Sequence, residues 1–227
     1  MYFKVKRLLD YIISLTTLVL LLPLILIIIF LIKIDSNGPI LFKQKRVGLN
    51  KTYFEILKFR TMRVDTPKDV PTHLLENPEQ YITRVGRILR KTSLDELPQI
   101  FNVISGSMSI VGPRPALWNQ YDLIEKREEC CANQVLPGLT GWAQINGRDT
   151  ISTEDKARFD GEYIKNFGFI MDLKCFIGTI KCVIKRTGIV EGAIKFNESE
   201  IINIEAKDII ESKDEEKNKK ITNNLFL

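Results

Sequence analysis

Metal-binding patterns of cysteine and histidine are absent from this 227-residue chain. Its four cysteines form no CxxC pair, and the single histidine, His73, lies in a proline-rich segment far from them in sequence. Structural zinc sites draw four ligands from closely spaced cysteines and histidines. The sequence therefore predicts no zinc site, and its cysteine usage does not demand an oxidising compartment.

Nucleic-acid-binding signatures are also missing, although the formal net charge is +5. The lysines and arginines crowd into residues 43–63 and 84–91. Neither cluster alternates basic with aromatic residues as a base-stacking surface does, and neither has zinc-finger spacing. The clusters favour phosphate-bearing partners or an anionic membrane surface, and nucleic acid is not expected as a partner.

Charged residues are lacking from Tyr11 to Ile32, a stretch rich in leucine and isoleucine. As a straight helix it would cover roughly 33 Å, enough to cross a hydrocarbon core of about 30 Å. The stretch is longer than the apolar part of a cleaved signal peptide, and no convincing cleavage site follows it. The pattern therefore indicates a membrane-embedded helix.

Pro23 lies near the middle of this stretch and predicts a kink. Basic residues flank the stretch on both sides, among them Lys4 and Arg7 before it and Lys33 and Arg46 after it. Because Lys and Arg are enriched in cytoplasmic flanks, both ends are expected in the cytoplasm. We therefore expect a re-entrant helical hairpin broken at Pro23, with a kinked span as the alternative.

The chain divides into three parts by composition: a membrane segment at 1–35, a cytoplasmic domain at 36–200 and a charged, disordered tail at 201–227. Within the domain, LFKQKRVG and YFEILKFRTM predict two short strands joined near Gly48. Residues after 150 are expected to be helical. The apolar stretch 173–183 is compatible with an amphipathic helix on the membrane surface or with a plain core helix.

Asp95 and Glu96 form an adjacent carboxylate pair at the entrance of a predicted helix, whose apolar residues from Leu97 to Ile104 have helical spacing. Ser93 stands three residues before Glu96, so a capping box is one interpretation. The other is catalytic. A helix N-terminus and nearby Arg90 favour an ionised Asp95, which would be a competent nucleophile toward phosphorus.

Arg114 lies between Pro113 and Pro115, which restrict its backbone. Its planar guanidinium offers two parallel donors to phosphate oxygens, although a structural salt bridge is the alternative. Together with a hard divalent cation such as Mg²⁺, it would neutralise the charge that repels a carboxylate from a phosphate. Lys58 and Arg60 have similar potential, or are the cationic end of a solvated strand.

Five blocks of the sequence closely resemble the bacterial sugar transferases known as monotopic phosphoglycosyl transferases, and the resemblance covers roughly residues 3–190. The blocks are the Pro-broken apolar segment, KFRTM at 58–62, TRVGRILRKTSLDELPQIFNV at 83–103, VGPRP at 111–115 and PGLTGWAQINGR at 137–148. They occur in the family's order and at its spacing. Members transfer a sugar-1-phosphate from a UDP-sugar to a polyprenol phosphate, usually undecaprenyl phosphate, and release UMP.

The resemblance implies that Asp95 is the nucleophile and carries the phosphosugar as a covalent intermediate. Mg²⁺ is implied near the pair, with Asp95 as a ligand, and Glu96 would assist proton removal or help to organise the metal. The implied phosphate-binding residues are Arg90 and Arg114, with Lys58, Arg60 and Arg148 as weaker candidates.

The resemblance also implies a mostly helical α/β fold with a re-entrant hairpin, interfacial amphipathic helices and little regular sheet. The site would lie on the cytoplasmic face of the bacterial inner membrane, where surface glycan assembly begins. Asp160, Tyr163 and Asp172 fall on a looser downstream pattern linked with sugar contacts. The donor stays open between an N-acetylated amino sugar and a neutral hexose, and a homodimer is among the open oligomeric states. A membrane-tethered adaptor is the non-enzymatic alternative.

Overall fold

The computed structural model describes residues 2–66, 78–147 and 151–185, in which helices dominate and strands are short. The helices are α1 (Tyr2–Asp35), α2 (Arg84–Thr92), α3 (Gln99–Ser105), α4 (Tyr121–Glu129), α5 (Trp142–Ile145), α6 (Thr153–Lys165) and α7 (Phe169–Lys185). The strands are β1 (Leu41–Val47), β2 (Tyr53–Phe59), β3 (Ser109–Val111) and β4 (Gly138–Thr140). The mostly helical fold with few strands is thus confirmed, while the tail at 201–227 lies outside the described residues.

Strands β1 and β2 form the antiparallel pair that the sequence predicts. Leu41 pairs with Phe59 and Val47 pairs with Tyr53. A 3₁₀ turn at Leu49–Lys51 joins the two strands. Strands β3 and β4 form a second small sheet, in which the two strands run parallel.

Helix α1 is continuous from Tyr2 to Asp35, and Pro23 lies inside it. By length and composition it is able to cross a bilayer. Its buried residues form two groups, one toward each end: Lys6, Asp10 and Ser14, and Ile25, Ile28 and Ile32. A hairpin needs two separate arms, and α1 has no break between them, so the structure does not confirm the predicted hairpin. One missing backbone donor at Pro23 leaves the other helical bonds to hold the two halves together.

Polar side chains anchor the first third of α1 to the folded domain. The Lys6 ammonium group forms an ion pair with Asp172 of α7 at 2.5 Å. Asp10 accepts hydrogen bonds from the Ser109 hydroxyl at 2.8 Å and from the Ile110 amide at 3.1 Å. Because Lys6 and Asp10 are four residues apart, they share one face of the helix.

Apolar side chains anchor the last third of α1. Ile25, Ile28 and Ile32 form a buried cluster with Phe59 of β2 and Leu89 of α2. Burial of this kind contributes about 25 cal/mol per Å² of apolar surface. Helix α1 therefore fixes the two elements that carry Lys58 and Arg90.

Helix α3 packs through a face that differs from the predicted one. It buries Gln99, Ile100, Asn102 and Val103, whereas Phe101 is 43% exposed. The chain entering α3 has three-residue turns, which shift the phase of the helix relative to a 3.6-residue pattern. The Asn102 side chain also bonds the backbone of β2, where it accepts from the Leu57 amide at 2.9 Å.

Helices α6 and α7 confirm the predicted helical structure after residue 150. Helix α7 buries Met171, Asp172 and Cys175 against the domain. Six of its other apolar side chains are exposed: Phe169, Ile170, Leu173, Phe176, Ile177 and Ile180. A core helix would bury these residues, so the plain core interpretation of 173–183 is wrong, and the membrane-surface interpretation stays a prediction.

Candidate active site

The carboxylate pair lies on a 3₁₀ turn, Leu94–Glu96, between α2 and α3. Helix α2 approaches closely because Gly86 packs on the backbone of Thr61, where an added Cβ would overlap the carbonyl oxygen. The chain then reverses direction at Ser93, which has a φ of 56° in the left-handed region. This turn carries both carboxylates to the end of β2.

Glu96 accepts hydrogen bonds from two cations. The Lys58 Nζ and the Arg114 Nη2 lie 2.8 Å and 2.7 Å from the same oxygen, Oε1. Burial alone would raise the pKa of Glu96, but the charge of Arg114 and Lys58 and their hydrogen bonds hold it well below its usual range. The capping-box interpretation is wrong, because the Ser93 side chain makes no capping hydrogen bond.

Asp95 faces the same cations without bonding to them. Within the described residues its carboxylate accepts no hydrogen bond. Burial raises the pKa of Asp95, and the negative charge of Glu96 raises it further. The positive charges of Lys58, Arg90 and Arg114 lower it, with Lys58 the strongest of the three. The sequence predicts that the helix terminus and arginines favour the ionised form, but loss of hydration outweighs them. Asp95 is therefore a carboxylate with a raised pKa and no hydrogen-bond donor among the described residues.

Arg90 belongs to the last turn of α2, and its charge acts on Asp95. In the described part of the chain its Nη1 is buried without a hydrogen-bond partner. A buried guanidinium N–H left unpaired costs free energy, and structures keep few such groups. This donor is therefore suited to an anion bound next to Asp95.

Arg114 is held in place by backbone bonds on both sides. The Gly138 amide donates to the Pro113 carbonyl at 2.8 Å, and the Val47 amide donates to the Ala116 carbonyl at 3.0 Å. These bonds tie the segment between β4 and β1. Arg114 does form the salt bridge considered in the sequence analysis, but its partner is Glu96, so the bridge is part of the site.

Arg60, one of the weaker phosphate-binding candidates, is not brought to the pair. Arg60 is 5% exposed and donates to the carbonyl oxygens of Ser36 at 2.6 Å and Asn37 at 3.1 Å. Its guanidinium holds the backbone that follows α1, and phosphate binding by Arg60 stays a prediction. Arg148 lies outside the described residues.

The downstream residues linked with sugar contacts are buried and bonded within the protein. Asp160 is 1% exposed and pairs with Arg127 at 2.6 Å. The Tyr163 hydroxyl donates to Asp172 at 2.7 Å, and Asp172 also pairs with Lys6. We therefore assign Asp160 to holding α6 on α4, and Tyr163 and Asp172 to holding α6, α7 and α1 together.

Sequence reasoning missed the polar stripe on α1. Lys6, Asp10 and Ser14 are all buried, and Asp10 and Lys6 bond β3 and α7. Their spacing of four residues in a largely apolar helix was the available signal. Such a stripe indicates that one face of the helix contacts protein.

A divalent cation fits the pair only in part. Within residues 2–66, 78–147 and 151–185, no group of three or more His, Cys, Asp or Glu side chains could hold a metal. Mg²⁺ often binds through one or two carboxylates together with substrate phosphates. Asp95 suits that mode because its oxygens accept no hydrogen bond, whereas Oε1 of Glu96 already bonds Lys58 and Arg114.

Comparison with known proteins gives one family. Residues 1–186 match the family model described as bacterial sugar transferase. The chain is 40% identical over 184 residues to the "uncharacterized sugar transferase EpsL" of Bacillus subtilis (strain 168), covering 81% of this chain and 89% of that protein. It is 41% identical over 184 residues to the UDP-glucose:undecaprenyl-phosphate glucose-1-phosphate transferase of Escherichia coli (strain K12), covering 77% of this chain and 39% of that protein.

A third relative is the UDP-galactose-lipid carrier transferase of Erwinia amylovora, 37% identical over 203 residues, which are 81% of this chain and 41% of that protein. The match thus spans most of the short relative and less than half of each long one. The matched region contains every element of the site described above. This chain therefore belongs to the bacterial sugar transferase family.

Proposed function

We propose that this protein transfers a sugar-1-phosphate from a UDP-sugar to undecaprenyl phosphate at the membrane, with Asp95 as a covalent nucleophile and UMP as the leaving product. The observation that carries the proposal is the state of Asp95. It is a half-buried carboxylate that accepts no hydrogen bond in the described residues and faces Lys58, Arg90 and Arg114. Family membership supports the general reaction.

The charges around the pair suit a phosphate substrate. Three cations face two carboxylates, so the site keeps one excess positive charge. A dianionic pyrophosphate would bind there through Arg90, whose Nη1 lacks a partner, and through Arg114. These contacts screen the negative charge that would otherwise repel the Asp95 carboxylate.

In the first half-reaction, a carboxylate oxygen of Asp95 attacks the sugar-linked phosphorus. The bond from that phosphorus to the bridging oxygen breaks, and UMP leaves with the electron pair. In the second, an oxygen of the polyprenol phosphate attacks the same phosphorus and Asp95 departs as a carboxylate. Mg²⁺, bound through Asp95 and phosphate oxygens, would supply further neutralisation of charge.

Glu96 contributes by organising the cations. A carboxylate whose pKa is held well below its usual range is a weak base, so proton removal from the acceptor suits it poorly. Its Oε1 instead holds Lys58 and Arg114 in one place. This assignment differs from both roles that the resemblance implies, proton removal and organisation of the metal.

For the membrane segment, the contacts of α1 support two ends on the same side. Lys6 near its start and Ile32 near its end both pack on one folded domain. A spanning helix would separate them by a hydrocarbon core of about 30 Å. We propose that α1 enters one leaflet and does not cross, which leaves both ends in the cytoplasm. Labelling of Phe3→Cys, in a background without the native cysteines, tests this: reagent access only from outside the cell would contradict it.

The reaction is tested by UMP release from the full-length protein in detergent or nanodiscs with Mg²⁺, undecaprenyl phosphate and a panel of UDP-sugars. The panel includes UDP-glucose, UDP-galactose and two UDP-N-acetylamino sugars, because the sequence leaves the donor class open. We expect release with at least one donor and transfer of its sugar phosphate to the lipid. Release with none of them, from protein that folds, would contradict the proposal.

A further inference from the structure

The side-chain amide of Gln99 is buried and makes no hydrogen bond to any residue that the structure describes. Gln99 is the first residue of α3, its side chain is fully buried, and in the described residues neither Oε1 nor Nε2 has a partner. An unsatisfied buried amide lowers stability, because it loses its bonds to water and gains none. The position next to the catalytic pair suggests that the amide bonds in another state of the site.

The local backbone places Gln99 on the same face as Glu96. Three-residue turns connect this region: the Glu96 amide bonds the Ser93 carbonyl at 3.3 Å, and the Ile100 amide bonds the Leu97 carbonyl at 3.1 Å. In such turns residues i and i+3 lie above one another. Gln99 therefore lies one turn from Glu96.

Contacts on either side of Gln99 show which way this face points. Glu96 bonds Lys58 of β2, and Asn102 donates to the Glu55 carbonyl of β2 at 2.8 Å. Gln99 stands between these two residues at the same three-residue spacing. Gln99 therefore lies on the side of α3 that packs on β2, the strand that carries Lys58.

Substrate binding would change the bonding of Glu96. In the structure, Lys58 and Arg114 both donate to its Oε1, and a phosphate in the site competes for the same donors. A buried carboxylate that loses those donors needs a replacement, since an unpaired buried charge is costly. An amide N–H one turn away is suited to replace them.

We propose that Gln99 is a positioning residue that donates a hydrogen bond to Glu96 when Lys58 and Arg114 turn to the phosphates of the substrate. The inference rests on the proposed function, because it needs a phosphate in this site. The unsatisfied amide lowers the stability of the protein without substrate. It favours substrate binding, because the amide gains a hydrogen bond in the bound state. Stability and ligand affinity therefore depend on Gln99 in opposite directions.

Gln99→Met in the full-length protein separates these effects, because Met has a similar volume and no donor. We expect the thermal midpoint to stay equal or rise, while the Kd for UMP and the KM for the UDP-sugar increase about tenfold. Gln144→Met is the matched control, since Gln144 is another amide with a buried, unpartnered Oε1, but its Nε2 donates to the Leu139 carbonyl at 2.9 Å. That variant should lose stability and keep its affinity for UMP.

Gln99→Leu is a second variant if the Met variant folds poorly. It also removes the donor and adds no charge, so UMP binding should weaken as in Gln99→Met. Unchanged UMP affinity in either folded Gln99 variant overturns the positioning role, as does a parallel loss of stability and affinity in Gln99→Met. Wild-type protein that binds UMP but turns over no donor would overturn the proposed function and leave the Gln99 test intact; failure to bind UMP would overturn both.

Discussion

Two adjacent carboxylates in this protein share three cations, yet their environments push their pKa values apart. Glu96 receives direct hydrogen bonds from Lys58 and Arg114, so its pKa is lowered despite burial. Asp95 receives none in the described residues, so burial raises its pKa. Because the nucleophile must be ionised, activity should fall as the pH drops through the raised pKa of Asp95.

Lys58→Met should move the acidic limb of the pH–activity profile, where activity falls as Asp95 is protonated, to higher pH. Lys58 is the strongest of the charges that lower the pKa of Asp95, so its removal raises that pKa further. We expect the acidic limb of kcat/KM for the UDP-sugar to move to higher pH, together with lower activity. Lys43→Met is the control, because Lys43 is exposed and pairs with Glu55 on the surface. An unmoved limb would mean that Lys58 does not act on Asp95.

Glu96→Gln should move the limb the other way. The negative charge of Glu96 raises the pKa of Asp95, so its removal lowers that pKa and extends activity toward acid pH. The maximal rate should nevertheless drop, because Lys58 and Arg114 lose the carboxylate that places them. The pH–rate profile measures both effects. A loss of rate confined to alkaline pH would instead indicate a general-base role for Glu96.

Among the elements, α1 does more than embed in lipid. Its first third bonds α7 and β3, and its last third packs on β2 and α2, which carry Lys58 and Arg90. The membrane helix and the catalytic pair are thus parts of one packed structure. Damage to the α1 contacts should therefore lower stability and activity together.

Lys6→Met is the sharpest test at this scale. It removes one partner of a buried ion pair and leaves Asp172 without its cation, which costs about 3 kcal/mol of unfolding free energy. Lys4→Met is the control, since Lys4 is exposed on the same helix and surface changes stay within about 0.5 kcal/mol. Denaturant unfolding in detergent measures the difference. Equal stability of the two variants would contradict the anchoring role.

Local pattern predicts much of the secondary structure but little of the bonding. The hairpin of β1 and β2 follows from short-range alternation and a turn at Gly48, and the helices after residue 150 follow from their apolar spacing. The ion pair of Lys6 with Asp172 joins residues 166 positions apart, which no local pattern encodes. The buried face of α3 also differs from the predicted one, because three-residue turns precede the helix.

In the site, too, the sequence reveals some features and only the folded structure reveals the others. The pairing of Asp95 with Glu96 and the restricted backbone of Arg114 are visible in the sequence. The opposite pKa shifts of the two carboxylates depend on burial and on which oxygen Lys58 reaches. The structural role of Arg60 likewise depends on the end of α1 lying next to β2.

At the scale of the whole molecule, exposed apolar surface on α1 and α7 should serve the lipid acceptor. Ile170→Glu places a charge on the exposed face of α7, where Ile170 is 70% exposed. We expect transfer to undecaprenyl phosphate in vesicles to fall several-fold, while the first half-reaction with the soluble UDP-sugar persists. Tyr121→Glu on α4 is the control, at 65% exposure. Equal transfer to undecaprenyl phosphate by both variants would mean that α7 does not contact the membrane.

The most direct measurement of the central claim is the mass of the intact protein after reaction with a donor UDP-sugar and Mg²⁺ in the absence of acceptor. We predict a gain equal to one sugar phosphate, located on Asp95 by peptide mapping, one equivalent of UMP released, and loss of the adduct when undecaprenyl phosphate is added. Asp95→Asn should gain no mass, whereas Asp65→Asn, at an exposed carboxylate, should react normally. Turnover that requires the acceptor for any UMP release, with no adduct on Asp95, would contradict the covalent mechanism.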